Sequence, residues 1–425
     1  MPKLSRKQWL GATAGLIVLA ALFWLATTDN LGIWPYRNTL QYHALSWWWQ
    51  RVGYPQPGAP GILRGTVRDI QGQPVAGAWV LVSWWNGTTY SARSQADGRY
   101  TITDLPAGQY RPVAGAPGYE NAQLGGWGWV TVEPGAETIA DVTLPAAPPH
   151  ILAPGVNLTF GESSTPTCPA PLKASAIRQP FTFDSAGRLN QPSFYYTPLT
   201  TTTTSRLPVL LVVYPGPADA WECASLPLAA AGYAIVATGP AYSLDLEADI
   251  DELERVVNFI RAGQFPGSEG SRLALLGGSY SSLHVQRLLE RSSKYEAAVL
   301  LGPPTDLFDM RRRLEERSYI PPFGLDQVLI ALGLPDRDPI RYWRYSGLYH
   351  LRPDLPPLVI MHSRTDEVVP FQQSKLLSAQ LDKLGVTHQA HFFDGASHYL
   401  LAEGSDKDTL AIYRITLEFL DEHLK

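Results

Sequence analysis

The 425-residue chain is long enough for two or three domains. It carries 34 Lys and Arg against 39 Asp and Glu, a net charge of -5 with no basic stripe, which argues against nucleic acid as a partner. Its two cysteines, Cys168 and Cys223, suit either one disulfide in an exported chain or two buried thiols in a cytosolic one, so compartment has to be read elsewhere.

The N-terminus speaks to compartment. Lys3, Arg6 and Lys7 precede an uncharged, mostly apolar stretch from Gln8 to Thr28, long enough to cross a bilayer as a helix with its positive end inside. A cleaved signal peptide competes, but the run is long for one and no A-x-A-like site closes it. The expectation is an uncleaved membrane anchor over residues 1–30 with the rest of the chain extracytoplasmic. Residues 31–60 follow as an aromatic-rich juxtamembrane segment holding Trp47, Trp48 and Trp49. Such side chains rest at a headgroup interface, or else pack as a strap on the next domain.

Residues 61–145 read as short alternating strands, at Ile62 to Val67, Ala78 to Trp84, Gly98 to Ile102, Gly108 to Ala114 and Trp129 to Val132, with Asn86-Gly87 and Asp97-Gly98 as turns. That is a small β-sandwich. The runs GTVRDIQGQPVAGAWV and ADGRYTITDLPAGQYRPVAGAPGY resemble the carboxypeptidase regulatory-like domain, a transthyretin-like sandwich without catalytic residues. Trp84, Trp85, Trp127 and Trp129 fit a carbohydrate platform, but tryptophans of a small sandwich more often serve its core. A Pro-rich connector over 146–174 marks the boundary.

From residue 175 onward strands and helices alternate, which predicts α/β layering with a mostly parallel sheet and helices on both faces. The centre of this region is SRLALLGGSYSSLHVQRLL. The apolar run Leu273 to Leu276, broken by Gly277 and Gly278 and followed by helical spacing from Ser281 to Leu289, predicts strand, sharp turn and helix, with Ser279 on the turn. This is the pattern G-x-S-x-G of a nucleophile elbow with Ser281 in place of the last glycine. Serine needs a base and an acid that orients the base. His398 lies just after the last expected strand and Asp366 just after the strand before it, giving the order Ser, Asp, His. Glu367 and Asp394 are the rival acids; His284, His362, His388 and His391 read as structural.

The backbone N–H of Tyr280 offers one oxyanion donor. The loop that would supply a second, Tyr214-Pro-Gly-Pro217, contains two prolines without an N–H, which leaves the Tyr214 phenol. At this point LPVLLVVYPGP, LLGGSYSS, MHSRTDEVVPFQQS and DGASHYL together resemble the catalytic domain of the prolyl oligopeptidase family of serine peptidases. The resemblance covers residues 175–425 and implies an α/β-hydrolase fold. It matches Ser279, Asp366 and His398 to the triad and Tyr214 to the oxyanion hydroxyl, and implies peptide-bond cleavage. No histidine and acid cluster outside the triad has metal-ligand spacing, so neither metal nor cofactor is expected. No propeller-like repeat appears, so a carboxylesterase is the alternative, and a non-catalytic surface binding protein the rival from another class. Val369 and Phe308 are the expected pocket walls. Residues 306–353, with Arg311, Arg312 and Arg313, form an expected lid, the arginines serving either a solvated face or a substrate carboxylate. In an exported chain, Cys168 and Cys223 would staple the connector to the helix after the oxyanion loop.

Overall fold

The structure, a computed structural model, describes residues 20–21, 24–25, 27–28, 30–124, 129–148, 157–184, 192–200, 206–239, 245–292, 294–322, 324–398 and 406–425. No helix among the described residues is long and apolar enough to cross a membrane. The expected anchor at residues 1–30 falls largely outside them.

Within the aromatic-rich segment expected at residues 31–60, Trp34–Val52 forms a helix, α1. Pro35 sits in its first turn, where a missing N–H costs nothing, and Gly53 ends it at φ 97. Trp34 and Asn38, one turn apart, are its buried residues.

The sandwich forms as expected, with more strands than the alternation revealed. One sheet pairs Pro60–Asp69 with Arg99–Pro106 antiparallel and with Glu137–Ile139 and Val142–Leu144 parallel. The other runs in the order Thr89–Arg93, Trp79–Ser83, Val113–Gly115, Ala122–Gln123. The expected strand Gly108 to Ala114 divides at Arg111-Pro112, and its first part, Gly108–Tyr110, pairs with Val130–Val132. Leu63, Val80, Val82, Tyr100 and Ile102 fill the space between the sheets. The tryptophans form no common platform: Trp84 packs on Tyr110, Trp85 stacks on Tyr54 against Trp49 of α1, and Trp129 lies under Arg111. Trp127 lies outside the described residues.

The expected α/β layering is present, but its sheet begins inside the expected connector, where Thr159 and Phe160 pair with Thr182 and Phe181. Nine strands, β1 (Thr159–Phe160), β2 (Ile177–Thr182), β3 (Ser193–Thr197), β4 (Leu207–Val213), β5 (Ala234–Thr238), β6 (Ser268–Gly278), β7 (Ala297–Leu301), β8 (Leu358–Ser363) and β9 (His388–Phe393), form one sheet in the order β1-β2-β3-β5-β4-β6-β7-β8-β9. The first three join antiparallel and the remaining pairs are parallel. The central strands are apolar on both faces because both are covered. On one side lie α2 (Glu222–Ala230) and α9 (Asp406–Leu424); on the other lie α3 (Leu246–Arg261), α4 (Tyr280–Arg291), α8 (Gln372–Leu384) and the insertion after β7. A disulfide joins Cys168 of the connector to Cys223 of α2.

The insertion folds as α5 (Leu307–Glu315), α6 (Leu325–Ala331), α7 (Pro339–Arg344) and a 3₁₀ turn at Gly347–His350. Arg311 is neither a solvated residue nor free for a substrate. It is fully buried, donating to the carbonyls of Leu329 and Gly333 and pairing with Glu315, so it ties α5 to α6. Arg312 and Arg313 both pair with Asp309.

The sandwich packs against this insertion. The ring of Trp79 meets Tyr349 edge-on, Arg111 donates to the carbonyl of Arg337, and the backbone N–H of Ile340 donates to Gln123. At the tip of one hairpin Gly87 has φ +94, and a Cβ there would lie 2.4 Å from the carbonyl oxygen of Phe308 and 2.8 Å from the backbone nitrogen of Arg312. Only glycine allows that approach of backbone to backbone.

Asp306 begins the insertion as the N-cap of α5, accepting from the backbone N–H of Phe308 and of Asp309. Burial, reinforced by the neighbouring Asp309, pushes its carboxyl up to about 7 despite those donors and the Tyr349 hydroxyl. The folded protein therefore keeps a proton there that the unfolded chain releases near pH 4, so this group's contribution to stability falls as pH rises from about 4 to 7. Asp306→Asn retains a capping oxygen without the charge. The wild-type melting temperature minus that of the variant is expected to fall across this window, and a pH-independent difference would contradict the assignment.

Candidate active site

Ser279 sits where β6 turns into α4, with φ 54 and ψ -132, a region that costs a non-glycine residue about 1–3 kcal/mol. The surroundings hold it there: its N–H donates to the carbonyl of Leu301 on β7, and the Ser282 hydroxyl donates to the carbonyl of Gly277. A Cβ at Gly277 would lie 2.7 Å from Val285 Cγ2 and 2.8 Å from the Ser281 carbonyl oxygen, so position 277 demands glycine. Ser281 is fully buried within the first turn of α4. The departure from the glycine pattern at 281 thus falls where the backbone already accommodates a Cβ.

Asp366 and His398 follow β8 and β9, which lie on one side of β6 in the sheet, so all three residues meet at the carboxyl edge. His398 Nε2 is 2.8 Å from Ser279 Oγ, and Nδ1 is 2.7 Å from Asp366 Oδ2. An ionised carboxylate can only accept, so Nδ1 carries the hydrogen and Nε2 is left to accept from the serine hydroxyl. Gly302, at φ +53, passes beside this pair; a Cβ there would lie 3.4 Å from Asp366 Oδ2 and 3.6 Å from His398 Cε1.

The Asp366 carboxylate is held from four sides. Oδ1 accepts from the backbone N–H of Val368 and of Val369, both at 2.8 Å. Oδ2 faces His398 and also His362, whose Nε2 is 3.0 Å away. That same Nε2 is 3.0 Å from the carbonyl oxygen of Val369. Both neighbours are acceptors, so Nε2 carries the hydrogen, and Nδ1 accepts from the Ser374 hydroxyl at 2.7 Å. Burial opposes charge on Asp366, but hydrogen bonds from His362 and His398 outweigh it and hold the carboxyl well below its usual range. The sequence presents His362 as a structural residue; in the fold it is a direct partner of Asp366. Its position four residues before Asp366, at the end of the same strand, was the available signal.

The rival acids stand apart: Glu367 is exposed, and Asp394 pairs with Arg364 at the surface. Tyr280 begins α4, where a backbone N–H has no acceptor within the helix and lies at the positive end of its dipole. Tyr214 does not join it. Its ring is buried and stacked on Trp221, and its hydroxyl is 2.6 Å from Ser225 Oγ on α2. That pairing satisfies a phenol which burial would otherwise penalise, and it commits Tyr214 to the core between the sheet and α2.

Next to Ser279 opens a cavity of about 430 Å³, floored by Tyr280 and Leu283 of α4 and walled by Val368 and Val369. Its roof is the insertion, through Leu307, Met310, Tyr319, Leu325, Val328, Leu329 and Leu332. Val369 is therefore a wall, as expected, and Phe308 is not. Helical periodicity turns Leu307 and Met310 to the cavity and Phe308 into the core against Tyr342, 5.2 Å between ring centres.

Fold and site are those of a serine hydrolase. Residues 247–425 match the prolyl oligopeptidase family, and residues 62–145 match the carboxypeptidase regulatory-like domain. An uncharacterized peptidase of Bacillus subtilis (strain 168), YuxL, is 22% identical over 159 residues, which are 37% of this chain and 23% of that protein. A solved acylaminoacyl peptidase in complex with Z-Gly-Gly-Phe-chloromethyl ketone aligns with TM-score 0.49 and 17% identity over 82% of this chain, which spans 62% of that one. A truncated carbohydrate esterase from gut microbiota aligns with TM-score 0.47 and 17% identity, covering 62% of this chain and 97% of its own. Thermogutta terrifontis esterase 2 phosphonylated by sarin gives TM-score 0.43 and 20% identity over 56% of this chain and 91% of its own.

Losing one charge-assisted hydrogen bond to Asp366 is expected to lower kcat roughly tenfold in His362→Ala while leaving KM nearly unchanged. His362→Gln, which keeps a donor, should recover part of the loss. Equal kcat in wild type and His362→Ala would show that this contact does not support the site.

Proposed function

We propose that the chain hydrolyses acyl compounds through Ser279, His398 and Asp366. The observation that carries this reading is the run of contacts from Asp366 through His398 to Ser279 beside an apolar cavity. Ser279 Oγ attacks the carbonyl carbon while His398 Nε2 takes its proton, and Asp366 stabilises the imidazolium. The tetrahedral oxyanion accepts from the Tyr280 N–H at the positive end of α4. His398 then protonates the leaving group, an acyl-Ser279 intermediate remains, and water attacks it by the same route in reverse.

The substrate we propose is a peptide amide whose acyl side presents an apolar group to the cavity, in keeping with the prolyl oligopeptidase family match. An ester is the second reading. It is favoured by the absence of a charged side chain among the described residues lining the cavity, which leaves a peptide's terminal amine or carboxylate without a counter-ion there. We further propose that the N-terminal apolar stretch anchors the chain with the hydrolase outside. The Cys168–Cys223 disulfide, which suits an oxidising compartment, supports that placement.

Fluorophosphonate labelling is expected for the wild type and should vanish in Ser279→Ala and His398→Ala; an unlabelled wild type would contradict an activated serine. For substrate class, kcat/KM on matched amide and ester pairs decides. Comparable turnover of the peptide amide supports the peptidase, and turnover of esters alone removes it. Met310→Trp, which fills the roof of the cavity, should cut kcat/KM for long or aromatic acyl groups by roughly tenfold or more and spare acetyl substrates.

A further inference from the structure

We infer that α1 lies flat in the headgroup layer of an anionic bilayer and holds the roof of the cavity against that surface. The inference rests on the anchoring proposed above only for bringing the helix to the membrane.

The helix has two faces of different character. On the inner face, Asn38 Nδ2 donates to the carbonyl of Ala331 at 3.0 Å, at the end of α6. The guanidinium of Arg341 lies 3.9 Å above the Trp34 ring, and that of Arg311 lies 4.6 Å above Tyr42. These contacts fix α1 to the insertion that roofs the cavity. On the outer face, Tyr36, Leu40 and Trp47 are 76%, 72% and 55% exposed, and Trp48, 53% exposed, flanks them. Residues 36, 40 and 47 recur at helical spacing, so they form a stripe. A soluble surface seldom leaves so much aromatic and aliphatic area uncovered along one helix.

Charge decides what covers it. Over its own length, Trp34 to Val52, α1 carries Arg37 and Arg51 and not one Asp or Glu. Arg51 is exposed beside the stripe, with its guanidinium 3.6 Å above the Trp47 ring. Aromatic rings that sink to the acyl boundary, with arginines held above them among lipid phosphates, fit such a surface. A second copy fits less well, because a two-fold pairing would set the same acid-free, arginine-bearing face against itself. The exposed apolar surface also continues upstream through Leu31, Leu25 and Trp24 toward the stretch proposed as the anchor.

The two native cysteines are joined to each other, so one introduced cysteine gives a unique labelling site. Full-length Leu40→Cys and, as control, Gln71→Cys on an exposed turn of the sandwich would carry an environment-sensitive NBD dye and be reconstituted in phosphatidylglycerol–phosphatidylcholine vesicles. Flotation reads the anchor by itself. In the floated protein the dye at 40 is expected to shift to the blue and be quenched by lipids spin-labelled near the headgroup, while the dye at 71 stays in water and unquenched. Floated protein whose dye at 40 remains water-like overturns the inference and leaves the anchor standing. A blue shift without quenching by lipid means that protein covers the face, and also overturns it. Failure to float removes the anchor and the inference together.

Discussion

The Asp366 carboxylate is the point on which the site hangs. Two imidazoles and two backbone N–H groups converge on it, so its position, its charge and the tautomer of His398 are set at once. Each partner is anchored in turn, His362 by the Ser374 hydroxyl and the Val369 carbonyl, and the loop N–H groups by the end of β8. A carboxylate buried this deeply is tolerated because every donor it needs is supplied by groups that cannot move away. Ser279 is held by the opposite means, through strain. Its backbone occupies a costly conformation that the hydrogen bond to Leu301 and the close packing at Gly277 enforce. One end of the relay is fixed by attraction and the other by confinement.

The cavity belongs to a wider set of elements. Its floor comes from α4 of the α/β core, but its roof is the insertion after β7, and that insertion packs on α1 and on the sandwich. Arg311 shows how these layers communicate. Buried and shared among Leu329, Gly333, Glu315 and the ring of Tyr42, it joins two roof helices to the N-terminal helix through one guanidinium.

Much of this could be read from the chain. The α/β layering was legible because buried parallel strands leave unbroken apolar runs; Ser279 and Asp366 each follow such a run, and His398 follows the part-exposed edge strand β9. What escaped reading depends on neighbours distant in sequence. A phenol at position 214 faces either the catalytic edge or the core, and Ser225 decides in favour of the core. Phe308 and Met310 differ by half a helical turn, and sequence does not fix the phase of a short helix in an insertion. The strands Ala122–Gln123 and Glu137–Ile139 are too short to show a period. The helix α1 was hidden because its residues lack a solvated charged face, so it has little of the two-sided pattern by which helices are recognised.

Gly87 carries a consequence for how such chains diversify. The hairpin that it closes touches the backbone of α5 at Phe308 and Arg312, with no side chain between them to absorb a change of shape. Sequence boundaries divide the chain into a sandwich and a hydrolase, yet mechanically the hairpin and the cavity roof form one part. A recombination event that exchanges the sandwich at the connector would cut through that part. Exchange of whole functional units requires residues 306–353 to travel with the sandwich, although more than 150 residues separate them along the chain.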